Sequence, residues 1–428
     1  MPYCVIGAGA AGLAAARQLE ASSVPFEVVE RERDVGGIWD TSLAHGPVYR
    51  SAHLISSKPL TEFPDFPMPA EYPDYPNHAQ ALEYLRSYAK AFGLYKFIRF
   101  GRTVERAERV EGADWSVTFS DGETRIYSGL VVAAGIHCIP NLPEVPGRFD
   151  GECMHSCGYK APDIFRNKRV LVVGAGNSGC DIVVDAAQHA ARTFFSVRRG
   201  YHYLPKYALG RPTDQLGEIG LRLRLPLFIR TPLQQLLLKV VVGSPDQFGL
   251  PRPDHKLLES HPIVNSQILQ ALGQGDIQPK PDVAELNGRE VRFKDGSTEQ
   301  IDLIVFATGY QVSFPFLEPR HLNSADGRPD FYLHVFHPTY ENLFIVGMIQ
   351  SDSGVWRLMD LQARAVARYI QAGRANTAGL RKVRALKQGP RPDLGGGIRY
   401  LPTDRHRYEV EHFSYQRRLT RLIRLLES

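Results

Sequence analysis

Apolar and polar positions along the chain fall into a plan that occurs twice. The apolar run Tyr3-Cys4-Val5-Ile6 enters a glycine turn, Gly7-Ala8-Gly9-Ala10-Ala11-Gly12, and then an alanine-rich stretch with helical spacing. Further on, Arg169-Val170-Leu171-Val172-Val173 enters Gly174-Ala175-Gly176-Asn177-Ser178-Gly179 and a second helical stretch. Both copies also close alike. Alternation in Trp115–Phe119 ends at Asp121-Gly122, and the continuous apolar run Leu130–Ala134 ends at Gly135; Val291–Phe293 ends at Asp295-Gly296, and Leu303–Thr308 ends at Gly309. Alternation up to Asp-Gly predicts a strand and turn, and the uninterrupted run predicts a buried strand. From first to closing glycine, one copy runs from Gly7 to Gly135 and the other from Gly174 to Gly309, spans of nearly equal length.

Two strand–turn–helix units of equal build predict an α/β protein with two Rossmann-like dinucleotide-binding domains. Leu343–Gly347 predicts one more buried strand and Trp356–Ile370 a helix, with no nucleotide motif of their own. They are assigned to the first unit, so that the second is an insertion: 1–158 and 311–428 form the first domain and 159–310 the second, each boundary within 15 residues. The Pro- and aromatic-rich stretch 59–76 excludes a long helix and predicts an ordered loop over a site. Residues 221–243, rich in Leu and Val with spaced Arg and Lys, predict a buried helix pair split at Pro226 and Pro232; a basic surface touching membrane or a partner subunit is the alternative. Tyr415–Leu426 predicts a basic amphipathic helix with its Leu face on the core.

The turns carry the chemistry. Glycines between strand and helix let a backbone approach a pyrophosphate, and the helix start adds free N–H groups and a positive dipole end. In the first unit Glu30 closes the strand that follows the helix, where a carboxylate accepts from ribose hydroxyls. Gly36-Gly37-Ile38-Trp39 follows, suited to packing backbone and ring on a flavin, so the first site is read as an FAD site. In the second unit no acid stands at the equivalent place; Arg198 and Arg199 do. Guanidinium groups grip a 2′-phosphate that a carboxylate would repel, so the second site is read as one for NADPH.

Composition excludes several classes. The chain has 428 residues, 43% hydrophobic and 23% charged, at a net charge of +5, which is ordinary for a globular protein and too mild for a nucleic-acid binder. Five cysteines do not make a disulfide framework, and no apolar run is long enough to cross a membrane. A cytoplasmic protein without a cleaved leader or a metal is expected. Its partners are expected to be small molecules, with weak peripheral membrane contact and a homodimer left open.

Between the units lies Phe149-Asp150-Gly151-Glu152-Cys153-Met154-His155-Ser156-Cys157-Gly158-Tyr159. This FxGxxxHxxxY pattern resembles the signature of the flavin-containing monooxygenases, and it sits where that family places it. GGIWD (36–40), DFPMP (65–69), LEYLRSYAKAFGL (82–94), GAGNSGCDI (174–182) and ATGY (307–310) resemble the family too. The resemblance implies FAD, NADPH and O₂, a C4a-hydroperoxyflavin, and oxygen transfer to a soft nitrogen or sulfur of an amine or thioether. It implies FAD contacts at Gly7 to Gly12, Glu30, Gly37, Ile38, Trp39, Ile55, Ser56, Val104, Gly347 and Gln350. It implies NADP contacts at Leu54, Gly174, Gly176, Asn177, Ser178, Gly179, Cys180, Asp181, Arg198, Arg199, Thr308, Gly309 and Tyr310. Tyr159 stands where Baeyer–Villiger relatives carry Trp, which disfavours carbon oxidation. His155 is read as fixing the linker rather than as catalytic, and the Cys153/Cys157 pair has the wrong spacing for a redox disulfide.

One departure matters. Many members of the family carry S-x-x-x-N-x-x-K after the flavin motif, with an Asn near the flavin. Here Ser51 and Lys58 match and Ile55 stands in the Asn position, leaving Ser56, Ser57 or His53 as substitute donors. The alternative functions are therefore an NADPH oxidase releasing H₂O₂ and Baeyer–Villiger-type carbon oxidation.

Overall fold

The computed structural model describes residues 1–43, 46–137, 139–222, 227–324 and 326–428. The duplicated plan is realised as two five-stranded, wholly parallel sheets. In the first, the order is Leu343–Ile345, Gly129–Val132, Tyr3–Ile6, Phe26–Val29, Ile98–Arg99. In the second it is Glu152–His155, Leu303–Phe306, Arg169–Val173, Arg192–Ser196, Gln278–Lys280. The glycine-turn strand is central in each, flanked by the closing strand and the second strand. Leu130, Val131 and Val132, like Leu303, Ile304 and Val305, are fully buried, as continuous apolar runs require inside a parallel sheet.

The outer strand of each sheet comes from outside its own repeat. Leu343–Ile345 follows the second unit in sequence yet pairs with Gly129–Val132. Glu152–His155 pairs with Leu303–Phe306, and Gly147–Phe149 pairs with Val283–Gly288. Residues 147–155, expected in the first unit, thus pair with strands of the second. Both Asp-Gly turns form, with Gly122 and Gly296 at φ +81° and +83°.

Helix Ala10–Ala21 packs on Trp356–Ala375, which also meets the C-terminal helix His412–Leu426. That last helix buries Tyr415, Leu419, Leu422, Ile423 and Leu426, so its Leu face meets the core as expected. Its start is capped by Glu411, whose side chain accepts from Ser414 N at 2.7 Å. The 59–76 stretch holds only the short helix Lys58–Thr61 and drives Phe63, Met68 and Tyr75 inward. Lys58 Nζ ties it down by donating to the carbonyls of Pro69 (3.2 Å), Ala70 (2.9 Å) and Tyr72 (2.7 Å).

Over 231–243, where the side chains are described, the expectation of a buried helix is not met. Pro226 lies outside the described residues, and helix Leu227–Val242 runs through Pro232. Leu233, Leu236, Leu237, Val240 and Val241 fall at i, i+3, i+4, i+7 and i+8, a stripe that usually faces a core. Here it faces solvent, with Val240 75% exposed. Apolar spacing specifies that a helix has a sticky side; it does not specify which way that side turns.

Candidate active site

The two glycine turns are near copies in space. Gly7 and Gly174 take φ +105° and +107°, and their amides donate to Val29 O (2.8 Å) and Ser196 O (3.0 Å) on the neighbouring strands. A Cβ on Gly12 would lie 1.8 Å from Gly7 O, and one on Gly179 would lie 1.9 Å from Gly174 O. Only glycine lets each helix start so close to its strand. The cradle this leaves at each helix N-terminus fits a dinucleotide pyrophosphate.

In the first unit Glu30 is buried and accepts from Ala8 N at 2.5 Å and Glu32 N at 2.9 Å, so it braces the turn from below. Ala8 O accepts from Gly36 N at 3.1 Å, and a Cβ on Gly37 would lie 3.0 Å from Gly9 Cα. The Gly36-Gly37 turn therefore lies on the glycine turn itself. Ile38 then packs on the core of the second unit, while Trp39 packs on both cores and meets Trp356 edge-on at 6.0 Å. Ala10 and Ala11 open the helix, and Ala11 Cβ is 2.8 Å from where a Cβ on Gly347 would stand. Gly347 N donates to Gln362 Oε1 at 2.8 Å. Val104 is buried under the first sheet with Cys4, Ile6 and Val29. The Gln350 amide is engaged elsewhere, donating to Arg405 O at 3.0 Å.

The segment 49–58 joins the units. Tyr49 OH donates to Asp181 Oδ2 (2.9 Å), Ser51 Oγ donates to Asp185, and Leu54 is buried in the first core. Ile55 is half-buried. Of its substitute donors, Ser56 Oγ pairs with Thr61 Oγ1 at 2.7 Å, and His53 Nδ1 lies 2.9 Å from Ser51 O. Ser57 is fully buried, with its amide donating to Asp214 Oδ2 at 2.6 Å.

Several second-unit residues have structural partners. Asn177 Nδ2 donates to Pro262 O at 3.0 Å, and its Oδ1 accepts from Val264 N at 2.8 Å. Asp181 accepts from Asn265 Nδ2 at 2.7 Å as well as from Tyr49, and burial raises its carboxyl above the ordinary range. Cys180 is buried, which pushes its thiol up, and Ser178 is half-buried. Thr308 Oγ1 donates to Asn141 O, and Gly309 O accepts from Asn141 N at 2.9 Å. Arg198 is exposed with no carboxylate partner among the described residues. Arg199 is committed, its Nε donating to Asp254 Oδ1 (2.9 Å) and Oδ2 (3.1 Å), and this guanidinium holds the Asp254 carboxyl down to about 2. The two arginines expected to act as a pair are therefore unequal.

The FxGxxxHxxxY residues form a latch. The Phe149 ring lies on Gly151, where a Cβ would be 2.6 Å from Phe149 Cζ. His155 is buried; its Nδ1 accepts from Cys157 N (3.3 Å), so its Nε2 carries the proton toward Gly309 O (3.0 Å). Burial lowers its pKa and keeps the ring neutral, and Tyr310 meets it edge-on at 5.0 Å. Tyr159 OH donates to Asp185 Oδ2 at 2.7 Å, and its ring stacks on Phe165. Tyr49, Asp185, Asn265, Asp254 and Arg405 were not expected from the sequence; each acts on a partner from a distant part of the chain, where no local pattern marks it.

The model of the flavin-binding monooxygenase-like family matches residues 3–379. The chain belongs to that family. This monooxygenase is 33% identical over 393 residues to dimethylaniline monooxygenase [N-oxide-forming] 2 of Pan troglodytes, covering 86% of the chain and 72% of the relative. Among solved structures it resembles S-allyl-L-cysteine S-oxygenase from Allium sativum, at TM-score 0.66 and 22% identity over 99% of this chain and 91% of that one. It also resembles cyclohexanone monooxygenase from Rhodococcus sp. Phi1 bound to NADP⁺, at TM-score 0.72 and 18% identity over 99% and 97%. The two structural likenesses speak for the fold; family membership makes the monooxygenase an oxidoreductase dependent on FAD, NADPH and O₂. No helix among the described residues is long and apolar enough to cross a membrane.

Proposed function

We propose that the monooxygenase holds FAD on the first glycine turn and NADPH on the second, and oxygenates a soft nitrogen or sulfur atom of a small molecule. The observation that carries this reading is the Gly36–Trp39 segment. It rests on the first turn at Gly9, sets Ile38 on the second core and packs Trp39 against both cores, so the first turn lies beside the junction of the two units. Bound FAD, reduced by NADPH, supplies an activated oxygen atom from O₂. The chain's own residues do the rest. Glu30 and the glycines orient the first nucleotide, the 49–58 segment and the Tyr159 latch hold the units in register, and Trp39 and the 59–76 loop keep water from the junction. The N-oxide-forming relative, 33% identical, favours a soft heteroatom over carbon.

The test is a product balance. With NADPH and air, N,N-dimethylaniline and methyl phenyl sulfide should give N-oxide and sulfoxide in proportion to NADPH consumed. Turnover of a cyclic ketone alone would overturn the reading. A second reading, H₂O₂ release as the main outcome, is favoured by Ile55; peroxide equal to NADPH with every substrate would establish it. The cytoplasmic location belongs to the same proposal. So do a weak membrane contact and a homodimer, both supported by the solvent-facing stripe of helix Leu227–Val242.

A further inference from the structure

The segment after residue 400 has no nucleotide motif, yet it brings a charge onto the second glycine turn. Its backbone is fastened to both units. On the first side, Gln350 N donates to Tyr408 O (2.9 Å), Gln350 Nε2 to Arg405 O (3.0 Å), and Gln350–Ser351 pairs with Glu409–Val410. On the second side, Leu401 N donates to Glu259 O (2.9 Å), His406 Nε2 lies 3.1 Å from Ser260 Oγ, and His261 pairs with Glu409 at 3.1 Å.

Between these anchors the Arg405 guanidinium covers Gly176, the middle glycine of the second turn. Nη2 lies 3.5 Å from where a Cβ on Gly176 would stand, and Cζ and Nη1 lie 3.9 Å from it. The group also sits 5.5 Å from the Tyr201 ring centroid. Its neighbours in the segment are neutralised, Asp404 by Arg328 and Arg407 by Asp326. Arg405 is half-buried and has no carboxylate within ion-pair distance among the described residues. Among the described residues its side-chain acceptor is Tyr201 OH, at 3.5 Å. A half-buried guanidinium without a carboxylate partner can take an anion, and the turn it covers is shaped for one.

We propose that Arg405 is a pyrophosphate-binding residue of the NADPH site, delivered across the unit boundary by the C-terminal segment. The proposal rests on the reading of the second turn as the NADPH site. It divides the work. Arg405, over the turn, meets the pyrophosphate shared by NADPH and NADH; Arg198, beyond the second strand, meets the 2′-phosphate that only NADPH has.

The experiment titrates the FAD-loaded enzyme with NADP⁺, NAD⁺ and 2′-AMP by calorimetry, with no turnover. Arg405→Ala and the bulkier neutral Arg405→Gln should weaken NADP⁺ and NAD⁺ by the same factor, about tenfold or more, and leave 2′-AMP unchanged. Arg405→Lys should recover most of the loss, and Arg407→Ala should bind like the parent. Unchanged NADP⁺ affinity in Arg405→Gln, or a loss confined to NADP⁺ and 2′-AMP, would overturn the assignment of Arg405 alone. A parent enzyme that binds none of the three would remove the NADPH site itself, and this proposal with it.

Discussion

Nucleotide preference should rest on Arg198 more than on Arg199. A charge-assisted hydrogen bond contributes about 1.5–3 kcal/mol. Arg198 is exposed, so water screens it and the lower end applies, which is roughly a tenfold rise in KM for NADPH on Arg198→Ala. NADH lacks the 2′-phosphate and should change less than about twofold. Arg199 is shared with Asp254 through both carboxylate oxygens, and Asp254 stays ionised at any pH well above about 2. Its net field toward a phosphate is partly cancelled, and Arg199→Ala should cost only a few-fold. Asp254→Asn should release that charge and lower KM for NADPH by a similar few-fold. Initial rates of oxidation at 340 nm with both nucleotides decide the matter. Equal losses with NADPH and NADH in Arg198→Ala, or a weaker response to NADPH in Asp254→Asn, would refute the reasoning.

Three further outcomes are expected. Gly12→Ala places a Cβ 1.8 Å from Gly7 O and should strip the flavin absorbance, whereas Gly179→Ala should keep the enzyme yellow and cut NADP⁺ affinity more than tenfold; the ratio of absorbance at 450 to 280 nm and a nucleotide titration check both. Asp360 is raised to about 6, first by burial and then by Asp65, so its folded form holds a proton more tightly than the unfolded chain does and stability falls as pH rises from about 4 to 6. Asp360→Asn keeps the acceptor for Gln18 and should raise the melting temperature at pH 7, by up to about 3 kcal/mol of stability, and not at pH 4. Ile55→Asn restores a polar group at a half-buried position and should lower the peroxide released per NADPH by roughly 2–10-fold, the worth of one hydrogen bond; an unchanged ratio would show that another group governs coupling.

The features legible in the sequence were those whose cause is local. A glycine turn between a strand and a helix is a short-range steric demand, so both cradles, both second strands and both Asp-Gly hairpins could be read directly. The remaining features depend on partners far along the chain. Asn177 looks like a phosphate-facing residue until Pro262 and Val264 take both ends of its amide. Arg199 looks like a free cation until Asp254 arrives from a separate loop. The stripe on Leu227–Val242 was legible as a stripe, but its direction depends on the body it is mounted on. Arg405 lies in a stretch with no pattern at all.

The strand Leu343–Ile345 sets a timetable. The first sheet lacks its outer strand until that segment leaves the ribosome, long after Val132 has done so. At a synthesis rate of roughly 5–20 residues per second, the apolar edge Gly129–Val132 waits about 10–40 s for its partner. The inserted unit, whose five strands all lie between Glu152 and Phe306, completes its own sheet in that interval. The half of the protein that begins first therefore finishes last, and its open edge is where a nascent chain most needs protection from pairing with another.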